Sequence, residues 1–121
     1  MADADSGSAT VELALMLPLI VLLLVAMAEI AVIGRSQLEL VNSAREGARV
    51  AAVNPEPADA VEAAQDVLGA AGVHARVAVT RPQVVGEAAI VHVTIHHRLV
   101  PYLFGGATID LTATASMRVE R

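Results

Sequence analysis

Four histidines, His74, His92, His96 and His97, are the side chains best suited to binding a metal or moving a proton near neutral pH. Apolar and polar residues alternate around them, which predicts strands. On a strand, His92 and His96 share one face but stand about 13 Å apart at ~3.3 Å per residue. That separation is too long for both to ligate one ion unaided. The face therefore reads as solvated polar surface, with His74 its companion on a neighbouring strand. His97 falls on the opposite, dry side and reads as a satisfied core residue. A second cluster, Glu56, Asp59, Glu62 and Asp66, recurs at helical spacing and reads as the solvated side of a helix. Its spacing gives no pair of carboxylates poised for acid–base work. There is no cysteine, no nucleophile with a plausible base, no GxSxG, no HExxH and no P-loop. The expectation is a protein that is not an enzyme and uses no metal or cofactor. All eight basic residues are Arg, the chain has one Tyr, one Phe and no Trp, and no basic patch with stacking platforms stands out. Nucleic-acid binding is not expected.

Two further carboxylates lie in an unusual setting. Glu12 precedes an apolar run that is uncharged from Leu13 to Ala28, and Glu29 interrupts the run before it resumes to Gly34. Residues 13–34 would make about 33 Å of helix at ~1.5 Å per residue, matching a bilayer core of ~30 Å. A carboxylate in hydrocarbon is costly unless it reaches the interface or meets a cation, so such residues mark functional sites. Glu29 is near enough to the end of the run to reach the interface, or to pair with a partner subunit. Pro18 removes one backbone hydrogen bond and is expected to bend the helix locally. The lipid bilayer is thus the first partner the sequence implies.

The remaining elements follow from periodicity. Residues 1–7 are polar and expected to be a disordered, leader-like tail. Residues 8–34 form the transmembrane helix, and residues 35–121 a separate α+β domain. The helix is expected to continue over 35–53, where Leu38, Val41, Ala44, Ala48 and Ala52 make an apolar stripe and Gly47 is the one weak point. Asn54-Pro55 should end it. A second helix is expected over 57–71, with Val61, Ala64 and Leu68 inward and Gly69 or Gly72 as its stop. Strict period-two alternation predicts strands over 73–81, 88–99 and 107–120, arranged as an antiparallel meander. Tyr102 and Phe104 share one turn and are expected to cap the core. The fold class is α+β: a long N-terminal helix and a short second helix covering a three-stranded antiparallel sheet.

The order of the N-terminal residues carries a family resemblance. Gly7 is followed by Glu12, Pro18 and Glu29, and then by Asn42-Ser43-Ala44-Arg45-Glu46-Gly47-Ala48-Arg49. This resembles the TadE-like family of tight-adherence, Flp-type pilus systems, whose members are type IV pilin-like. The likeness covers roughly Gly7 to Val53. It implies a pseudopilin or minor pilin in a bacterial cytoplasmic membrane, with other pilin subunits and the assembly machinery as partners. It also implies processing by a prepilin peptidase between Gly7 and Ser8, which would place Glu12 fifth in the mature chain. In the pilin scheme that Glu pairs with the terminal amine of a neighbouring subunit. The leader here has no Lys or Arg, and Leu13 stands where related pilins often carry an aromatic residue. Family topology places residues after Arg35 outside the cell, whereas Arg35, Arg45 and Arg49 on that flank would favour the reverse by the positive-inside rule. Two other readings differ in class. One is an uncleaved, membrane-tethered binding module. The other is a secreted product with residues 1–28 as signal peptide, which the missing basic n-region and the long apolar run disfavour.

Overall fold

The computed structural model describes residues 3–100 and 104–120. The chain divides into two units, residues 1–32 and 33–121. One helix, α1 (Asp3–Val53), supplies the whole described part of the first unit and enters the second. It begins inside the tail expected to be disordered. The helix runs through Pro18 without interruption.

In the second unit, α1 is followed by α2 (Pro57–Leu68), a 3-10 segment (Gly69–His74), and strands β1 (Arg76–Thr80), β2 (Ala88–Arg98) and β3 (Thr108–Arg118). The sheet is the expected antiparallel meander in the order β1-β2-β3. Val77 lies opposite Val93, and Val93 in turn opposite Ala113, so one face of the sheet is continuously apolar. Leu40, Ala44, Ala48 and Ala51 of α1 cover that face together with Ala60, Ala64 and Leu68 of α2. The core is rich in alanine, so backbones come close and each residue contributes little apolar area.

The structure differs from the sequence reading in the phase of one helix stripe, in two element boundaries and at one aromatic. The α1 stripe is turned: Leu38 is 67% exposed, while Leu40, Ser43 and Ala51 are fully buried. Leu38 lies about 160° around the helix from Leu40, so both cannot face one sheet. The second helix ends at Leu68, where Gly69 takes a left-handed φ of 56° that releases the chain. Residues 69–74 then form 3-10 turns, so β1 starts at Arg76, Val73 points to solvent, and His74 is not on a strand. A side chain at Gly72 would collide with the Gln65 carbonyl, which fixes that tight return. Phe104 is 46% exposed and does not cap the core. Tyr102 lies outside the described residues.

The end of α1 is closed by three donors. Asn54 N–H donates to the Val50 carbonyl (2.8 Å) and Glu120 N–H to the Ala52 carbonyl (2.9 Å). The Arg81 guanidinium donates through Nε to the Ala51 carbonyl at 2.6 Å. These bonds satisfy acceptors that a helix end leaves open and tie the loop after β1 and the end of β3 to α1.

Candidate functional site: the apolar helix and its motif

Every site residue read from the sequence lies on α1. Gly7, Ser8, Glu12 and Pro18 are exposed, and Glu29 is half-buried and engaged in an interaction. Between Gly7 and Val53 the helix is long and apolar enough to cross a membrane, with a mean hydropathy of 2.7 in its most apolar window and none of that window buried. Leu13, Leu15, Leu19, Leu23 and Leu24 are each 60–75% exposed, and Val11, Met16 and Met27 are similarly bare. The chain supplies no protein cover for this surface among its described residues. Apolar surface on this scale is stable only against lipid or partner helices.

Glu12 and Glu29 are seventeen residues apart, which is about 26 Å along a helix axis. That is slightly less than the thickness of a bilayer core. The two carboxylates therefore bracket the uncharged stretch from Leu13 to Ala28. They also point about 100° apart around the helix, so one neighbouring helix cannot lie squarely against both.

Further along α1, the motif Asn42-Ser43-Ala44-Arg45-Glu46-Gly47-Ala48-Arg49 resolves into two faces. Ser43, Ala44, Gly47 and Ala48 are buried, while Asn42, Arg45 and Arg49 are exposed. Ser43 Oγ donates to the Ala64 carbonyl of α2 at 2.6 Å. A Cβ placed on Gly47 would lie 3.1 Å from Ala64 Cβ, 3.2 Å from the Ala60 carbonyl oxygen and 3.2 Å from Val91 Cγ1. Gly47, the expected weak point of the helix, is where α1 packs closely against both α2 and β2. The sequence reading missed Ser43 and Arg81 as bonding residues. Small residues at 43, 47 and 51 and at 44, 48 and 52 were the available sign of a close helix crossing; Arg81 left no such sign. On the outer face, Arg49 Nη2 meets Glu46 Oε1 at 2.6 Å. The hydrogen bond from Arg49 holds the Glu46 carboxyl below its usual range, and the same bond raises Arg49. Arg35 pairs with Glu39 at 3.1 Å in the same manner.

The histidines take separate positions. His92 Nδ1 lies 2.7 Å from Thr114 Oγ1, and His96 Nδ1 bonds to Asp110. Both pairs sit on the outer face of the sheet, between directly opposed residues of β2 and β3. His97 lies half-buried on the core side, opposite Ile109. Among the described residues, no three side chains of His, Cys, Asp or Glu converge in a metal-binding geometry.

One bare apolar helix among the described residues, followed by an α+β unit, fits a single-pass membrane protein. The family model described as TadE-like protein matches residues 7–49, the stretch in which the motif resemblance was read. That stretch of the chain is TadE-like. No curated protein and no solved structure matches the chain significantly.

Proposed function

We propose that this chain is a TadE-like minor pilin or pseudopilin that takes part in assembly of a tight-adherence, Flp-type pilus or a related secretion apparatus. It is anchored in the bacterial cytoplasmic membrane by residues 8–34, with the α+β domain outside the cell. The observation that carries this reading is the match over residues 7–49, which joins a bare apolar helix to a closely packed small-residue motif. In this reading Glu12 pairs with a cation of a neighbouring subunit inside the helix bundle, since a lone carboxylate in hydrocarbon is costly. Other pilin-like subunits are the partners, and a prepilin peptidase cuts between Gly7 and Ser8.

The test is a Glu12→Leu substitution in the native host. The variant is expected to insert at normal levels and to abolish pilus assembly. Normal piliation with Glu12→Leu would reject the role of Glu12. A reporter fused after Arg121 should be active only outside the cell, and cytoplasmic activity would reverse the topology.

The uncleaved, membrane-tethered binding module has one observation in its favour. Helix α1 begins at Asp3, so the Gly7–Ser8 peptide lies within a helical turn, and a peptidase must unwind it first. Glycine lowers the cost of that unwinding by about 1 kcal/mol relative to alanine. The mass of the mature N-terminus separates the two readings: an N-terminus at Ser8 supports the pilin, and an intact leader supports the tethered module.

A further inference from the structure

The outer face of the sheet has no cover among the described residues, and its charge has one dominant sign. Its strand positions carry Arg76 on β1, His92, His96 and Arg98 on β2, and Asp110 and Arg118 on β3. Asp110 is the one acid among them, and it is already bonded to His96. Arg76, Arg98 and Arg118 have no hydrogen-bonded or ion-paired partner among the described residues. Cross-strand bonds between His92 and Thr114 and between Thr94 and Thr112 fix the middle of this face as an ordered polar surface.

The opposite layer of the same unit has the opposite sign. Helix α2 buries Ala60, Ala64 and Leu68 against the dry face of the sheet. Its exposed side therefore points away from the sheet and presents Asp59, Glu62 and Asp66, with Glu56 just ahead of the helix. Asp59 to Asp66 spans about 10 Å of helix. Arg76 lies beside Thr94, and Arg98 lies four residues along the strand from Thr94. The two guanidinium positions are thus about 14 Å apart by strand geometry, a spacing that long arginine side chains can close onto the acidic row.

We propose that the outer sheet face docks the acidic α2 face of a second copy of this chain. The two faces belong to opposite layers of one unit, so the contact is heterologous: each copy offers one face forward and the other back. Such a contact repeats from copy to copy instead of closing as a two-fold dimer. Charge complementarity selects the occupant, because the acidic row is opposite in sign to the face and similar to it in extent. The inference rests on the folded unit alone and does not require the pilus reading.

The test uses the full chain in a mild non-ionic detergent. One variant carries Arg76→Glu and Arg98→Glu, and the other carries Glu62→Arg and Asp66→Arg. Wild-type protein should form a series of heavier species at low salt, reduced about tenfold at high salt as the charges are screened. Each variant alone should be monomeric, with unchanged circular dichroism, and an equimolar mixture should restore the heavier species. Because the chain has no cysteine, a second readout is clean: a copy with Glu62→Cys mixed with one carrying Arg98→Cys should give a disulfide-linked heterodimer on mild oxidation. That pair decides the matter if a charge-reversed variant misfolds. A monomeric wild type, association that survives either reversal, a mixture that stays monomeric, or cross-links confined to like copies would overturn the proposal. Binding of the sheet face to anionic vesicles without self-association would also overturn it.

Discussion

Gly47 is the position where the packing of the α+β unit can be tested most directly. Replacing it with alanine sets two effects against each other. Alanine favours a helix interior by about 1 kcal/mol over glycine. Its Cβ, however, would meet Ala64 Cβ, the Ala60 carbonyl oxygen and Val91 Cγ1 at 3.1–3.2 Å. Ordinary carbon contacts sit near 3.5–4.0 Å. Two of the three neighbours belong to α2, so a shift of that helix by a few tenths of an ångström relieves most of the conflict. The net change for Gly47→Ala is expected within about 1 kcal/mol of zero. Gly47→Leu adds three more carbons where Val91 is fully buried and cannot retreat. Overpacking of that kind costs about 1–3 kcal/mol. Gly47→Leu should therefore be less stable than Gly47→Ala by about 2 kcal/mol, which is roughly thirtyfold in an opening equilibrium. Hydrogen–deuterium exchange of the full chain in detergent reads this out in peptides covering α2 and β2, where amides should exchange about thirtyfold faster. Equal exchange in the two variants would refute the close crossing of α1 with α2 and β2.

Two further substitutions test the same unit. Ser43→Ala removes the buried hydroxyl that donates to Ala64 and should cost about 1 kcal/mol, seen as a lower thermal midpoint. Arg49→Met should raise the titration midpoint of Glu46 back toward its ordinary value of 4.5, followed by carboxyl NMR. The sign is that of a carboxylate lowered in the folded state. Its small contribution is complete above the unfolded value and is lost as pH falls through the folded one. The pair is exposed, so it should leave the melting temperature almost unchanged at pH 7.

Much of the fold was legible because its patterns are periodic. Val91, Val93, Ala113 and Ala115 alternate with polar neighbours, and strands β2 and β3 fell within one or two residues of their expected ends. The apolar helix was legible from an uncharged run of bilayer length. What failed was phase and detail. The alanines at 44, 48, 51 and 52 share one arc of about 100°, and Leu38 and Leu40 flank its two edges at about 40° and 20°, so the periodicity alone let the stripe be extended through either leucine. Val73 alternates with its neighbours like a strand residue, but Gly69 and Gly72 divert the chain into 3-10 turns before pairing can begin. The role of Gly47 was hidden because a glycine in a helix reads first as a loss of stability, and its gain depends on a partner helix far along the chain. Ser43 was hidden in the same way, since its acceptor lies 21 residues away.

The two halves of the TadE-like stretch respond to different forces, and that makes genetic results interpretable. Around Leu22 no other element among the described residues covers the helix, so truncating that side chain disturbs only contacts within α1 itself. Any loss of function there acts through lipid or through partner subunits. Leu40 is fully buried in the core with Ala44, Val91 and Val93. Its truncation to alanine carries the transfer and cavity cost of a core leucine, about 2–5 kcal/mol, against the 5–15 kcal/mol that holds a typical domain folded. Defects on the two sides of the motif can look alike in an assembly assay yet arise from separate causes. Protein abundance distinguishes them, since a folding defect lowers the steady-state level and a lost helix contact does not.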